Sequence, residues 1–238
     1  MNISFIIPCY NEEEHVVSCI DSIKNSIKES KKIQKYEIIV VDNNCTDKTA
    51  ELAKKQNVIV VSESRKGVVF ARQKGFELSN YEFVANIDAD SKIPSDWIDT
   101  AIKNIQKPNV IAVTGPIVYE DVNIILDYLI KLYYFLANLS IRIIGVFLQG
   151  GNCLIEKKYL KILNGYDTSI EFYGEDTMTA KRLQQFGKIK YISELFIFSS
   201  ARRLKNQGVF KTTWLYVANY FAITFFNRSM TKKYEDYR

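Results

Sequence analysis

Apolar and polar positions along the first half of the chain follow two alternating patterns. Short β-branched runs at Ser4–Pro8, Glu37–Asp42, Val58–Ser62, Phe83–Asp88 and Val110–Thr114 predict strands. Between the first two, Val16, Ile20, Ile23 and Ile27 recur at spacings of 4, 3 and 4 and form one stripe of an amphipathic helix. Thr46-Asp47 and Ser95-Asp96 read as helix starts, the second followed by a stripe of Ile98, Ile102 and Ile105. Strands alternating with crossover helices define an α/β protein whose mixed, mainly parallel central sheet is flanked by helices. Such sheets bind ligands outside the carboxyl ends of their strands. Those ends read Pro8-Cys9-Tyr10-Asn11-Glu12, Asp42-Asn43-Asn44, Ser62-Glu63-Ser64-Arg65 and Asp88-Ala89-Asp90.

Past Asp121 the period changes. Ile125, Leu129, Leu132, Leu136, Leu139 and Ile143 recur at 4, 3, 4, 3 and 4, with Asp127, Lys131, Asn138 and Arg142 on another face. Residues 121–148 are therefore expected as one long amphipathic helix, charged too often to span a bilayer. After Gly150-Gly151 the pattern returns to strand (Cys153–Glu156) and helix (Asp176–Phe186), and a last segment carries Trp214, Tyr216, Tyr220, Phe221, Phe225 and Phe226. The organisation expected is an α/β domain over residues 1–200, followed by a basic loop and a C-terminal amphipathic, aromatic helical extension over 201–238. Aromatic surface of that extent needs a partner. Packing on the protein, a homodimer contact and peripheral contact with a membrane all remain open.

Composition narrows the function. The 238 residues are 47% hydrophobic and 25% charged, an ordinary globular balance. The net charge of +5 is too mild to demand nucleic acid, and no nucleic-acid partner is expected. Cys9, Cys19, Cys45 and Cys153 show no CxxC spacing and His15 is the single histidine, so any metal must be held by oxygen. Unpaired cysteines suit a reducing compartment, the apolar run before Pro8 is too short for a signal peptide, and the longest uncharged stretch, Thr212–Asn227, has 16 residues against the roughly 20 of a spanning helix. A cytoplasmic protein, soluble or lying on the inner face of the membrane, is expected.

Asp88 and Asp90 are two apart at a strand end, so their side chains leave one face of the chain. Two carboxylates that close repel unless a cation lies between them, an arrangement suited to Mg²⁺ or Mn²⁺ completed by water and substrate phosphates. Taken alone, the pair reads first as acids capping the next turn. Arg202, Arg203 and Lys205 either hold a phosphate of donor or acceptor or form a solvated basic loop.

In order and spacing, Pro8-Cys9-Tyr10-Asn11-Glu12-Glu13, Asp42-Asn43-Asn44-Cys45-Thr46-Asp47, Gly67-x-x-x-Ala71-Arg72-x-x-Gly75, Asp88-Ala89-Asp90 and Gly174-Glu175-Asp176 resemble the inverting glycosyltransferases of family 2 over residues 3 to 190. The resemblance implies the Rossmann-like GT-A fold and a nucleotide-diphosphate sugar, with a UDP or GDP moiety, as donor. It implies that Pro8, Tyr10, Glu12, Asp42 and Arg72 bind the donor nucleotide, Asp88 and Asp90 the metal and diphosphate. Asp176 would then be the catalytic base, with Gly151, Asn152 and Glu175 lining the sugar and acceptor cleft. The acceptor implied is a glycan or a lipid-linked molecule. Cys45 stands where the family commonly has serine. No Gln-x-x-Arg-Trp segment of the processive synthases is present, so transfer of a single sugar is expected. The rival readings are a nucleotidyltransferase, which would normally carry a basic glycine-rich loop where Pro8–Glu13 is acidic, and a non-catalytic nucleotide-sugar-binding protein, which predicts damage at Asp88, Asp90 or Asp176.

Overall fold

The computed structural model describes residues 1–119, 122, 124, 126–132, 134–135, 147–170 and 173–231. Its first part runs β1 (Asn2–Cys9), α1 (Val16–Glu29), β2 (Lys35–Asp42), α2 (Thr49–Lys54), β3 (Ile59–Ser62), α3 (Val68–Leu78), β4 (Phe83–Ile87), β5 (Ser91–Lys92) and α4 (Trp97–Ile105). It continues with β6 (Val110–Thr114), β7 (Ile117–Tyr119), β8 (Asn152–Glu156), α5 (Lys157–Ile162), α6 (Glu175–Leu183), β9 (Lys188–Tyr191), β10 (Ile197–Ser199), α7 (Arg202–Gln207) and α8 (Val209–Phe226).

Seven strands form the central sheet in the order β3-β2-β1-β4-β8-β6-β9. Strands β1 to β4 are parallel, and β8 runs antiparallel between β4 and β6. β1 is central and buried on both faces, which is why its sequence is a nearly unbroken apolar run. Its period of two sends Ile3, Phe5 and Ile7 into one core with Val16, Ile20 and Ile23 of α1 and Trp97, Ile98 and Ile102 of α4. Ile6 goes to the other face, with Val69 and Phe76 of α3 and Leu183 of α6. A small second sheet, β5-β10-β7, lies beyond the end of β4 and brings Ser199 to Asp90.

The helix start predicted at Thr46-Asp47 shifts. α2 begins at Thr49 because the Asp47 carboxylate is used in the preceding turn, accepting from the backbone N–H groups of Glu13 and Thr49. In the segment expected as one long helix, residues 124, 126–132 and 134–135 are helical, with Tyr128, Leu129 and Leu132 exposed rather than in the core. Ile125, Leu136, Asn138, Leu139, Arg142 and Ile143 lie outside the described residues. α8 packs one face on α6: Ile223 is fully buried with Ile170 and Met178, and Lys181 of α6 donates to the carbonyls of Ile223 and Thr224. No helix among the described residues is long and apolar enough to cross a membrane.

Candidate active site

The carboxyl ends of β1, β2 and β4 open onto a cleft of about 840 Å³ that is continuous with solvent. Pro8, Tyr10, Glu12, Arg72, Asp88, Asp90, Gly151, Glu175 and Asp176 all line it. Nine residues expected at a site from sequence thus meet in one place, drawn from five separate segments.

At one end, the turns after β1 and β2 are stitched together. Thr46 N–H donates to Asn11 Oδ1 at 2.8 Å, and Glu12 N–H to Thr49 Oγ1 at 2.7 Å. Asn43 is buried, donates to the carbonyls of Glu63 and Arg65 and accepts from Gly67 N–H, which fixes Lys66 at the rim with its ammonium 2.9 Å from Tyr10 Oη. Asp42 is turned to this support: its Oδ1 accepts from Cys45 N–H at 2.9 Å, and it is not among the residues lining the cleft. Cys45 Sγ takes part in the same turn, donating to Cys9 O and accepting from Asn11 N–H.

The middle of the cleft is built on Arg72. From α3 its guanidinium donates to Asp88 Oδ1 at 3.1 Å and to Glu175 Oε1 at 3.3 Å, joining the end of β4 to the start of α6. Burial opposes its charge, but the carboxylates of Asp88, Glu175 and Asp176 outweigh that and hold its pKa above the ordinary arginine value. Close approach here depends on the turn before β8. A Cβ on Gly151 would lie 2.0 Å from Asp88 Oδ2, and one on Gly150 would lie 2.5 Å from Arg72 Nη1. Gly150 N–H donates to Asp176 Oδ2 at 2.9 Å, which orients that carboxylate. Glu175 beside it is pushed well above the usual glutamate range by burial and by the neighbouring Asp176 charge, with Arg72 pulling the other way. Gly174, at φ +115°, supplies the backbone turn that starts α6 there.

Asp90 accepts from Ser199 Oγ at 3.3 Å and faces Arg202 Nη2 at 3.8 Å. Arg202 donates to both carboxylate oxygens of the buried Glu12, at 2.9 and 3.0 Å. It is therefore neither a solvated loop residue nor an uncommitted cation waiting for a phosphate. The Arg203 side chain lies outside the described residues. Asn152 corrects an expectation: fully buried and facing away from the cleft, it accepts from Trp97 Nε1 at 2.9 Å and donates to the carbonyls of Pro116 and Leu195. A polar residue beside two glycines reads as cleft from sequence, but the alternation of β8 puts it on the opposite side. Sequence reasoning missed Gln149, Lys66, Tyr173 and Tyr216 in the lining. Tyr173 immediately precedes Gly174-Glu175-Asp176, and that adjacency was the available signal.

The carboxylates fit a divalent metal of the Mg²⁺ or Mn²⁺ kind. Asp88 and Asp90 share the cleft, and Gly151 leaves open the space against Asp88 Oδ2 that any side chain would fill. Among the described residues no group of three or more His, Cys, Asp or Glu gathers around a metal-sized site. The fit is to an ion that takes two protein carboxylates and completes its shell with substrate oxygens and water.

A mixed α/β sheet with paired aspartates and a remote carboxylate around one cleft at its strand ends is the arrangement that the resemblance to family 2 implied. The model of Glycosyl transferase family 2 matches residues 4–163, more than half of the chain, and the chain belongs to that family. It is 28% identical to Glycosyltransferase AglE of Haloferax volcanii over 127 residues, 51% of this chain and 41% of that one. It is 31% identical to the poly-beta-1,6-N-acetyl-D-glucosamine synthase of Staphylococcus epidermidis over 207 residues, 79% of this chain and 47% of that one. The match thus spans less than half the length of these two relatives. In fold it is similar to the mannosyltransferase PcManGT of Pyrobaculum calidifontis, solved with GDP-Man and Mn²⁺ (TM-score 0.70, 20% identity, 94% of this chain and 62% of that one). It is also similar to glucosyl-3-phosphoglycerate synthase of Mycobacterium tuberculosis, solved with Mn²⁺, UDP-glucose and phosphoglyceric acid (TM-score 0.66, 20% identity, 94% of this chain and 79% of that one).

Proposed function

We propose that this chain is a metal-dependent inverting glycosyltransferase that moves a single sugar from a UDP- or GDP-linked donor to a hydroxyl of a glycan or a lipid-linked acceptor. The observation that carries this reading is the Arg72 bridge, which ties Asp88, at the end of β4, to Glu175, next to Asp176, across a single cleft.

Pro8, Tyr10, Glu12 and the Lys66 rim form the nucleotide end. Asp88 and Asp90 would hold Mg²⁺ or Mn²⁺, which when bound neutralises charge developing on a departing diphosphate. An acceptor hydroxyl is a poor nucleophile at neutral pH and needs a carboxylate to take its proton as the new bond forms. What supports Asp176 in this role is that the Gly150 N–H holds one of its oxygens and that it stands on α6, a different element from the one carrying Asp88 and Asp90. Attack from the side opposite the leaving group requires such a separation, and inverts the anomeric carbon. Burial and the Asp176 charge raise the pKa of the neighbouring Glu175, and Arg72 opposes that shift.

Asp176→Asn is expected to keep donor binding and to lose transfer by about 10²-fold or more. Near-normal turnover in that variant would remove Asp176 as the base.

A further inference from the structure

α8 has two faces of opposite character. Thr212, Tyr216, Asn219 and Ile223, at spacings of 4, 3 and 4, point inward; Thr212 and Ile223 are fully buried and Tyr216 lines the catalytic cleft. Half a turn away, Trp214, Phe221 and Phe225 form an outer stripe, 68%, 48% and 61% exposed, with the Phe221 and Phe225 rings stacked. Ring surface of this size left in water calls for a covering surface.

The charge around the helix selects the occupant. Between Glu194 and Glu235 the sequence holds seven Lys or Arg, of which Arg202 is paired with Glu12, and no Asp or Glu, although the whole chain carries 27 acids against 32 bases. Lys205 of α7, Lys211 at the start of α8 and Arg228 just past its end are all exposed. Two copies meeting through this face would set basic segment against basic segment, which disfavours a symmetric dimer. Aromatic side chains flanked by cations suit the interface of an anionic bilayer, where the rings enter the headgroup layer and the cations meet phosphate.

We propose that the outer face of α8 docks on an anionic phospholipid membrane and so holds the end of the cleft lined by Tyr216, whose ring packs on Tyr173 at 5.1 Å, near the lipid surface and a membrane-borne acceptor. This rests on the proposed transfer reaction only in naming a membrane-borne acceptor; the docking is tested without turnover.

Of the two tryptophans in the sequence, Trp97 is buried and bonded to Asn152, so Trp214 alone reports on the surface. The full chain is titrated with vesicles of phosphatidylcholine alone and of phosphatidylcholine mixed with phosphatidylglycerol, following tryptophan emission and co-sedimentation. The expected result is a blue shift and sedimentation with the anionic vesicles only, reversed by high salt. Trp214→Ser/Phe225→Ser, which alters only exposed positions, should lower the bound fraction about tenfold or more while the melting temperature is kept. Unchanged emission with both vesicle types would overturn the proposal, as would a lipid-independent dimer that buries Trp214. A chain that docks but transfers no sugar would refute the enzymatic reading and leave this one standing.

Discussion

Arg202 places one guanidinium nitrogen between both carboxylate oxygens of Glu12, joining positions 190 residues apart in sequence. Glu12 is 2% exposed and Arg202 27%, so the anion is deep and the cation reaches down to it from the C-terminal segment. The same nitrogen lies 3.8 Å from Asp90.

Arg202→Ala should therefore remove a two-point ion pair from the buried Glu12, costing about 2–3 kcal/mol and lowering the melting temperature by roughly 5–10 °C. Loss of a positive charge beside Asp90 should at the same time tighten Mn²⁺ binding, read by calorimetry. An unchanged melting temperature would show that the ion pair contributes nothing.

Gly151→Ala should displace Asp88, since the added methyl would lie 2.0 Å from its carboxylate oxygen. The expected result is a folded protein, destabilised by about 1–3 kcal/mol, whose nucleotide affinity in Mn²⁺ falls about tenfold or more. Wild-type affinity would mean that Asp88 is not placed by this contact.

Gly174→Ala should cost about 2 kcal/mol, because φ of +115° is strained for any side chain and the new Cβ meets Ile223 Cδ1 at 2.1 Å. Ile223→Val removes that carbon. Chemical denaturation of both single variants and the double variant should show favourable coupling between them, with the double variant still less stable than wild type because the backbone strain remains. Strict additivity would contradict the contact.

Glu175 gives stability a defined pH dependence. Burial and the Asp176 charge raise its pKa in the folded state above the ordinary 4.5, so the folded protein binds this proton more tightly than the unfolded chain does. The favourable effect is complete below pH 4.5 and is lost as pH rises through the folded-state value. Glu175→Gln should flatten the decline of stability above pH 4.5, measured as unfolding free energy against pH. An unchanged slope would show that Glu175 is ionised throughout.

The strands that position the cleft were legible because β1, β2, β4 and β6 are long enough to show continuous apolar runs, and the observed bounds differ from the predicted ones by no more than two residues. β5, β7 and β10 have two or three residues each, too short for any period to register. The acids of the cleft could be named because their spacing within motifs is local. Arg202 on Glu12 and Arg72 on Glu175 are long-range pairings, set by how the chain returns on itself, and no local spacing encodes them. Asn152 misled for the opposite reason: its motif is local, but the face it takes is decided by the register of β8 against β4.

The most direct measurement is calorimetric titration of the chain with UDP and with GDP, in the presence and absence of Mn²⁺, repeated on Asp90→Asn. If Asp88 and Asp90 share a metal with the donor diphosphate, at least one nucleotide should bind about tenfold or more tightly with Mn²⁺, and the substitution should abolish that gain. Equal affinity with and without Mn²⁺ in the wild-type chain, or a gain that survives Asp90→Asn, would contradict a metal-dependent donor site in this cleft.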